Sequence, residues 1–539
     1  MDALFVPLAE ATGASLDQIK LISCLLVSYP LGSIFIRIPS TRQDVKHIFN
    51  LLIAVFYFIP VLHLWNGFAQ LMFDVLGTYY IAKTVKSAHM PWIVFWFVMG
   101  HLTVNHIIRA MFNLSYETVE VTGPQMVLTM KLTTFAWNVW DGRRQVEELD
   151  KWQKEKRVDE YPSLLAFLGY AFYFPGVLVG PYLEYADYMS LIDGSLFKTT
   201  DKVDAQVKSI FSGRRIVPRG RKRVAYKKMV FGLVYLGTYV VFGGSYNYGV
   251  AVQDWFAKRS IFYRIALYQF VGVIERTKYY AIWTLTEGAA ILTGLGFTGY
   301  GSAGETTWEG AANVDIFNIE FAPNIKVLLD SWNMKTNVWL RECIYKRVTP
   351  KGKKPGFRST MITFATSAFW HGIAGGYYLT FLFGGFAQTV GRMCRTYIRP
   401  LVLPANYVST RGAPPPPQTT IKKLYDVTGT FFMIIILNYM ASPFMLSTIE
   451  ASLLAWGRLW WYGHFIIVGA LVFFYSGGSK FLKGIQTKRA KAAGVVKDQK
   501  AESSGYNTPL INQSAPPLDD VARAIEKADF LGNMKSKEN

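Results

Sequence analysis

Long runs of mostly apolar residues recur along almost the whole chain and alternate with short polar or basic segments. Because a helix needs about 20 such residues to cross a bilayer, the pattern predicts an all-α polytopic membrane protein with about 11 spans. The shorter or more polar runs are predicted to be re-entrant or buried between other helices. The apolar runs are Leu21–Ile36, Ile48–Leu64, Phe68–Ile81, Pro91–Val104, Met126–Trp140, Leu164–Leu183, Met229–Val250, Ile261–Ile274, Tyr280–Gly294, Met361–Trp370, Tyr377–Thr389, Val427–Met440, Ser452–Trp461 and Phe465–Tyr475.

Some of these runs are too polar to face lipid along their whole length. Pro91–Val104 contains His101, and His106 and Arg109 follow directly. Polar groups at membrane depth are stable only where they are buried in protein or meet water. We therefore expect the helices to enclose a central polar chamber, with His101 and His106 either lining it or packing between helices.

The basic loops predict the orientation in the membrane. The segment before the first run carries Asp2, Glu10 and Asp17, whereas the basic segment Arg37–Lys46 follows that run. Basic loops face the cytosol, so the N-terminus is predicted to be lumenal. The segment after the last run is lysine-rich from Lys480 onward, which places the C-terminus in the cytosol. Termini on opposite sides require an odd number of spans.

Three regions follow from this pattern. Residues 1–20 form a lumenal N-terminal segment, and residues 21–479 form one transmembrane domain. Residues 480–539 form a basic cytosolic tail with few aromatic residues, and such a composition predicts a largely disordered segment.

Composition supports a bilayer environment. Charged residues make up 17% of the chain and aromatic residues 16%, whereas soluble proteins carry about a quarter charged residues. The net charge of +20 is compatible with nucleic-acid binding, but the basic residues gather in loops between apolar runs. This distribution favours membrane lipids or an anionic substrate as partners and argues against nucleic acid. The three cysteines are scattered and predict no metal site.

One histidine is a candidate for catalysis. His371 lies in the motif Phe369–Gly372, inside a stretch from 359 to 390 that contains no Asp, Glu, Lys or Arg. An ionisable residue within a membrane segment usually serves a function, and imidazole can act as a general base near neutral pH. A buried histidine bonded to a backbone carbonyl is the alternative interpretation.

The segment Ser331–Arg341 mixes Trp, Asn and Arg at helical spacing. Trp332 and Trp339 fall on one helix face, and Asn333 and Asn337 share another. An asparagine amide can donate a hydrogen bond to a developing oxyanion. The alternative is an interfacial amphipathic helix that is anchored by its tryptophans.

A basic loop joins these two segments. Its residues Lys346, Arg347, Lys354 and Arg358 are candidates for binding the phosphates of a nucleotide-containing substrate such as CoA. The alternative is a loop whose positive charge only sets the topology.

Taken together, the motifs resemble the core of the membrane-bound O-acyltransferase family, most closely its lysophospholipid acyltransferase branch. The two main motifs are WNMKTNVWLRECIYKR (Trp332–Arg347) and FWHGIAGGYYLTF (Phe369–Phe381). Three further stretches agree in order and spacing, and the resemblance extends from about Leu21 to Tyr475. These stretches are MKLTTFAWNVWDG (Met130–Gly142), YAFYFPGVLVGPYLEY (Tyr170–Tyr185) and KYYAIWTLTEGAAILTGLGFTGY (Lys278–Tyr300).

The resemblance implies a reaction and a set of site residues. In the family the histidine of the WHG motif and the asparagine of the WN motif are catalytic, which points to His371 and Asn333. Trp332, Trp370 and Asn337 are then expected to contact substrate. The expected reaction is acyl transfer from acyl-CoA to a lysophospholipid in the endoplasmic reticulum membrane, inside a central reaction chamber and without a permanently bound cofactor or metal.

Two departures from the family pattern bear on substrate preference: the loop between Asn333 and His371 is a few residues longer, and the stretch after the WHG motif differs. The proline that often precedes Gly-Tyr-Tyr is absent from Ile373–Gly376. The FYxDWWN motif of the sterol and diacylglycerol branch is also missing, which argues against a neutral lipid acceptor. A sister enzyme for a sterol, glycerolipid or protein acceptor remains an alternative. A lipid transporter or scramblase is a second alternative, although the sequence shows no symmetry between two halves that would indicate paired broken helices.

Overall fold

A computed structural model describes residues 1–114, 118–197, 217–301, 304–350, 353, 356–407 and 415–495. Almost all of its regular structure is helical, as the apolar pattern predicts. The α-helices are α1 Val6–Thr12, α2 Leu16–Phe35, α3 Gln43–Phe56, α4 Trp65–Thr84, α5 Met90–Met111, α6 Thr122–Gly142, α7 Lys151–Lys156, α8 Leu164–Ala171, α9 Tyr185–Asp193, α10 Arg221–Phe242, α11 Asp254–Ala257, α12 Ile261–Thr293, α13 Ile316–Glu320, α14 Ile325–Ser331, α15 Met334–Trp339, α16 Phe357–His371, α17 Gly375–Met393, α18 Arg399–Val402, α19 Thr420–Leu446, α20 Ile449–Arg458, α21 Tyr462–Phe473 and α22 Ser479–Ala492.

Short irregular elements join these helices. Two two-residue strands, β1 Gly299–Tyr300 and β2 Thr306–Thr307, pair antiparallel, with Gly299 opposite Thr307. The 3₁₀ turns are Asp2–Leu4, Val146–Glu148, Phe174–Gly176, Ser195–Phe197 and Tyr248–Val252, and the π-helical segments are Tyr57–Val61, Leu340–Tyr345, Cys394–Ile398 and Phe474–Gly478.

Within the described ranges, six helices are long and apolar enough to cross a membrane. Because α10 exposes Val230, Phe231 and Val234, its outer face is suited to contact lipid. The other described helices are shorter, more polar or more deeply buried. The six candidate spans are Leu16–Phe35, Gln43–Val61, Met90–Met111, Arg221–Phe242, Thr420–Leu446 and Tyr462–Ala492.

Two predicted spans are one helix. The runs Ile261–Ile274 and Tyr280–Gly294 both lie in α12, which is continuous over 33 residues. The charged residues between the runs interrupt the hydropathy but not the helix, since one pair forms within α12 and Arg276 pairs with α13. Arg276 lies 2.6 Å from Glu320, and Lys278 lies 2.8 Å from Glu275.

The prediction of a continuous span over Leu164–Leu183 is wrong. Helix α8 ends at Ala171, and a 3₁₀ turn at Phe174–Gly176 follows. Pro175 and Pro181 lack the N–H groups that a helix requires, and Gly180 has a φ of 87°, so a helix cannot continue there. The segment is nevertheless buried, which explains why its composition is as apolar as that of a span.

The final helix extends past the predicted domain boundary at residue 479. Helix α22 continues to Ala492, and its Gln486 donates to the carbonyl oxygens of Thr396 and Tyr397. Arg489 binds the carbonyls of Pro400 and Leu401 in the same way. The first part of the predicted disordered tail is therefore helical and docked, and residues 496–539 lie outside the described ranges.

Helix α6 is almost completely buried and supports the segments that carry the WN and WHG motifs. Nearly all of its side chains are buried, from Thr122 to Asp141. Its Lys131 donates to the carbonyl oxygens of Tyr170 and Ala171, at 2.5 and 2.9 Å, which ties the irregular segment after α8 to it. A buried helix of this kind is a rigid support for the segments packed on it.

Candidate functional site

His371 is the last residue of α16 and lies in an aromatic pocket. Its half-buried ring stacks on Phe381 at 5.3 Å and meets Phe444 edge-on at 4.8 Å, measured between ring centroids. Tyr377 lies at 6.0 Å. Within the described ranges the His371 ring makes no hydrogen bond to another residue, so its nitrogens are available to a substrate hydroxyl.

Trp370, next to His371, is held from two sides. Its indole Nε1–H donates to the carbonyl oxygen of Met126 in α6, at 3.0 Å. Its carbonyl oxygen lies 3.2 Å from His106 Nε2, and because a carbonyl only accepts, that nitrogen carries the proton. His106, which the sequence placed either in the chamber or between helices, therefore packs beside the WHG motif. Trp370 is 4% exposed, so its predicted substrate contact stays a prediction.

Asn333 lies between α14 and α15 with a left-handed backbone, at φ 44° and ψ 53°. Its Oδ1 accepts one hydrogen bond from Asn313 Nδ2 at 3.1 Å and another from the Thr336 hydroxyl at 2.9 Å. The side chain is half-buried. Asparagine is one of the few residues other than glycine that adopts this conformation readily.

Both candidate catalytic segments are anchored on the same stretch of α6. Thr336, one turn after Asn333, also contacts Met130 Sδ at 3.3 Å, and Trp370 binds the carbonyl of Met126. These two α6 residues are one helical turn apart, about 6 Å along the axis. The rings of Trp339 and Trp370 also pack together at 5.6 Å. The structure therefore brings the WN and WHG motifs, which the chain separates widely, onto neighbouring turns of one helix.

The other predicted substrate-binding residues have structural contacts. Trp332 packs against Tyr279 at 5.5 Å and Trp283 at 5.3 Å, and so forms one side of an aromatic wall. Asn337 donates from Nδ2 to the carbonyl oxygen of Leu329 at 2.9 Å, which joins α15 to α14. Trp332 is half-buried and remains a candidate for substrate contact.

The predicted phosphate-binding cations differ in their surroundings. Arg347 is 8% exposed at its side chain and binds both carboxylate oxygens of Asp141, at 2.9 and 2.5 Å. Lys346 pairs with Asp150 at 2.6 Å and with Glu342 at 2.5 Å. Arg358 is exposed, and Lys354 lies outside the described residues. Of the three cations described, only Arg358 presents a solvent-exposed side chain to a large anion.

A second polar cluster lies between α4, α5 and α6, and the sequence suggested only part of it. Asp74 is 1% exposed, with one oxygen 2.6 Å from His101 Nδ1 and the other accepting from Gln125 Nε2 at 2.9 Å. Asn105 Nδ2 donates to Gln125 Oε1 at 2.7 Å. The sequence feature that could have indicated this cluster is Asp74 within the apolar run Phe68–Ile81, because a buried carboxylate requires polar partners.

Comparison with known proteins places the chain in a family. A model of the membrane-bound O-acyltransferase family matches residues 108–411. The chain belongs to the membrane-bound O-acyltransferase family. This confirms the resemblance that the WN and WHG motifs indicate, and both motifs lie inside the matched region.

Relatives match this membrane-bound O-acyltransferase over nearly its whole length. It is 36% identical over 521 residues to a Schizosaccharomyces pombe protein named lysophospholipid acyltransferase. The matched region covers 96% of this chain and 98% of the relative. It is 38% identical over 535 residues to the Saccharomyces cerevisiae protein of the same name, covering 97% and 84%. It is 29% identical over 474 residues to human membrane-bound glycerophospholipid O-acyltransferase 1, covering 87% and 91%.

Gly372, which follows His371, is expected to tolerate no side chain. Its backbone lies at φ 130° and ψ −166°, a region that is essentially restricted to glycine, and an added Cβ would lie 3.2 Å from His106 Nδ1. We expect Gly372→Ala to lower the stability of the protein by about 1–3 kcal/mol. Thermal unfolding of the purified protein in detergent measures the change. Gly100→Ala in α5 is the matched control, because its added Cβ meets no atom within 4 Å. Equal midpoints for the two variants would contradict a special role of this backbone.

Proposed function

We propose that this protein transfers a fatty acyl group from acyl-CoA to the free sn-2 hydroxyl of a lysophospholipid, in phospholipid synthesis and remodelling. The observation that carries the proposal is the joint anchoring of the Asn333 and His371 segments on adjacent turns of α6. The lysophospholipid acyltransferases that resemble the chain over nearly its whole length support the same class of acceptor.

In the proposed reaction His371 acts as the general base. One of its ring nitrogens accepts the proton of the lysophospholipid hydroxyl as the oxygen attacks the thioester carbonyl carbon. The new C–O bond forms, the C–S bond breaks, and the His371 imidazolium returns the proton to the sulfur, so that CoA leaves as the thiol. The Asn333 amide donates a hydrogen bond to the carbonyl oxygen as negative charge develops on it. Catalysis then needs no covalent acyl-enzyme.

The pocket around His371 supports a lipid acceptor. Its walls are the rings of Phe381, Phe444 and Tyr377, which offer apolar surface to an acyl chain or a glycerol backbone. Removing such surface from water favours lipid binding by about 25 cal/mol per Å². Trp332, which precedes Asn333 in the chain, packs against Tyr279 and offers a second aromatic surface to lipid.

We propose that the phosphates of acyl-CoA bind on the cytosolic side of the same region. Of the predicted phosphate-binding cations that the structure describes, the exposed one is Arg358, in the first turn of α16. Arg347 and Lys346 instead hold acidic side chains of the protein. The donor is expected to dock between Arg358 and the catalytic segments, with Lys354 as a second phosphate ligand.

We also propose a multi-pass arrangement in the endoplasmic reticulum membrane, with the N-terminus lumenal and the C-terminus cytosolic. Shorter helices such as α16 and α17 would join the six long spans, giving about 11 spans around a polar reaction chamber. The polar group Asp74, His101 and Gln125 is an example of the buried polar surface that such a body needs.

Acyl transfer by purified protein tests the proposed function. Labelled acyl-CoA is offered with lysophospholipids that differ in head group, alongside a sterol, a diacylglycerol and a serine-containing peptide. We expect transfer to lysophospholipid and a loss on the order of 10²–10³-fold in turnover for Asn333→Ala. Asn66→Ala, at an exposed position near the start of α4, is the control that should keep wild-type activity. Transfer to another acceptor class alone would overturn the proposal.

A further inference from the structure

Asn313 is a buried asparagine outside the motifs that the sequence highlights. It is 4% exposed and lies before α13, well upstream of the WN motif. Its backbone carbonyl and both polar atoms of its side chain bind one short segment. The backbone carbonyl accepts from the N–H of Met334 at 2.8 Å, and Oδ1 accepts from the N–H of Lys335 at 3.0 Å. Nδ2 donates to Asn333 Oδ1 at 3.1 Å.

These bonds fix which way the Asn313 amide points. A backbone N–H can only donate, so the Asn313 atom that faces Lys335 must be the oxygen. The other end of the same amide is therefore NH₂, and it faces Asn333.

Asn313 in turn fixes the direction of the Asn333 amide. An NH₂ group of Asn313 requires an acceptor opposite it, so the Asn333 atom at that position is Oδ1. The Thr336 hydroxyl contacts the same oxygen at 2.9 Å. The NH₂ group of Asn333 is thereby turned away from both partners, and it is the end of the amide left to donate to a substrate oxygen.

Asn313 also holds the backbone that carries this amide. Asn333 has a φ of 44°, and the following two N–H groups, of Met334 and Lys335, lie in the first turn of α15, where a helix has no internal acceptor for them. Asn313 supplies acceptors for both. One buried side chain with its backbone carbonyl therefore sets both the loop conformation and the amide direction.

We infer that Asn313 is a positioning residue for acyl transfer, which orients Asn333 so that its NH₂ group, and not its oxygen, faces the thioester. The inference rests on the proposed function of Asn333. It assigns a role to a residue that touches neither the acyl group nor the hydroxyl.

The test exchanges one atom of Asn313. Asn313→Asp keeps an oxygen for the Lys335 N–H but places a second oxygen against Asn333 Oδ1, which favours a flipped Asn333 amide. We expect kcat for acyl transfer to fall on the order of 100-fold, with KM for acyl-CoA changing less than about threefold. In an Asn333→Ala background the same substitution should change kcat less than about twofold, because the group it orients is gone.

Several outcomes separate the possibilities. Near wild-type kcat for Asn313→Asp, or an equal loss in both backgrounds, would overturn the inference while leaving the proposed function intact. A wild-type protein that transfers to no lysophospholipid would overturn both. If Asn313→Asp does not yield folded protein, Asn313→Ala is measured in the same cycle with the same expectations. Asn318→Ala, whose Nδ2 donates to Asp315 at 2.6 Å, controls for disturbance of the neighbouring helix α13 and should keep kcat.

Discussion

Replacing His371 with alanine should lower the turnover of acyl transfer by about 10²–10⁴-fold, the usual contribution of a general base. The ring occupies an aromatic pocket and makes no hydrogen bond to the rest of the described chain, so its removal deletes a reactive group without breaking a network. The melting temperature in detergent should change little compared with this loss. The measurement is the initial rate at saturating acyl-CoA and lysophospholipid.

His89→Ala is the matched control for His371→Ala. His89 is exposed and its side chain does not cap the helix that it precedes, so this variant should keep the wild-type rate and stability. Retained transfer in His371→Ala would instead support the alternative in which the histidine only packs. The lipid transporter or scramblase would be favoured by two results together. The wild-type protein would show no acyl transfer, and His371→Ala would still move lipid across vesicle membranes.

Replacing Arg347 with alanine should destabilise the protein by about 3–5 kcal/mol, because it leaves the carboxylate of Asp141 buried without its main partner. Asp141 is fully buried, and the Arg347 guanidinium both binds its two oxygens and lies 4.2 Å from the Trp137 ring centroid. Arg144 lies 3.5 Å from the same carboxylate and recovers only part of the interaction. The midpoint of thermal unfolding in detergent measures the effect.

Two further variants sharpen this prediction. Arg347→Lys should be intermediate, since an ammonium group neither forms a two-pronged bond nor stacks on Trp137 as guanidinium does. Arg358→Ala, at an exposed position, should keep wild-type stability and raise KM for acyl-CoA. An Arg347→Ala protein with wild-type stability and a raised KM for acyl-CoA would restore the assignment of Arg347 to the donor phosphates.

The apolar pattern predicted where most helices lie but not where each ends. Composition cannot separate a spanning helix from a buried irregular segment, since both exclude water, and so Leu164–Leu183 was interpreted as a span. The opposite error was to divide one helix into two predicted spans. Arg276 and Lys278 interrupt the hydropathy of α12, yet their partners Glu320 and Glu275 neutralise them inside the fold. Glu320 lies 44 residues from Arg276, so a sliding window cannot detect that pair, and it counts the nearby Glu275 only as a further charge.

The part of the candidate site that could be predicted is the part carried by short sequence motifs. The WN and WHG motifs each carry a reactive side chain beside aromatic residues, which singles out Asn333 and His371. The supporting residue Asn313 carries no such signature, because a buried asparagine in a loop is ordinary in composition. The pairing of Arg347 with Asp141 likewise depends on the packing of α6 against the segment after α15, which no spacing along the chain encodes.

The shared attachment of both reactive segments to α6 has a mechanical consequence. When the surrounding helices shift in the bilayer, a displacement of α6 should carry the Asn333 and His371 segments in the same direction. The distance between the two segments should therefore vary less than the position of each segment. Because both segments move with α6, their position relative to each other should stay nearly constant. We therefore expect the separation of His371 and Asn333, the proposed proton acceptor and amide donor, to change less than the positions of the outer helices when lipids of different size bind.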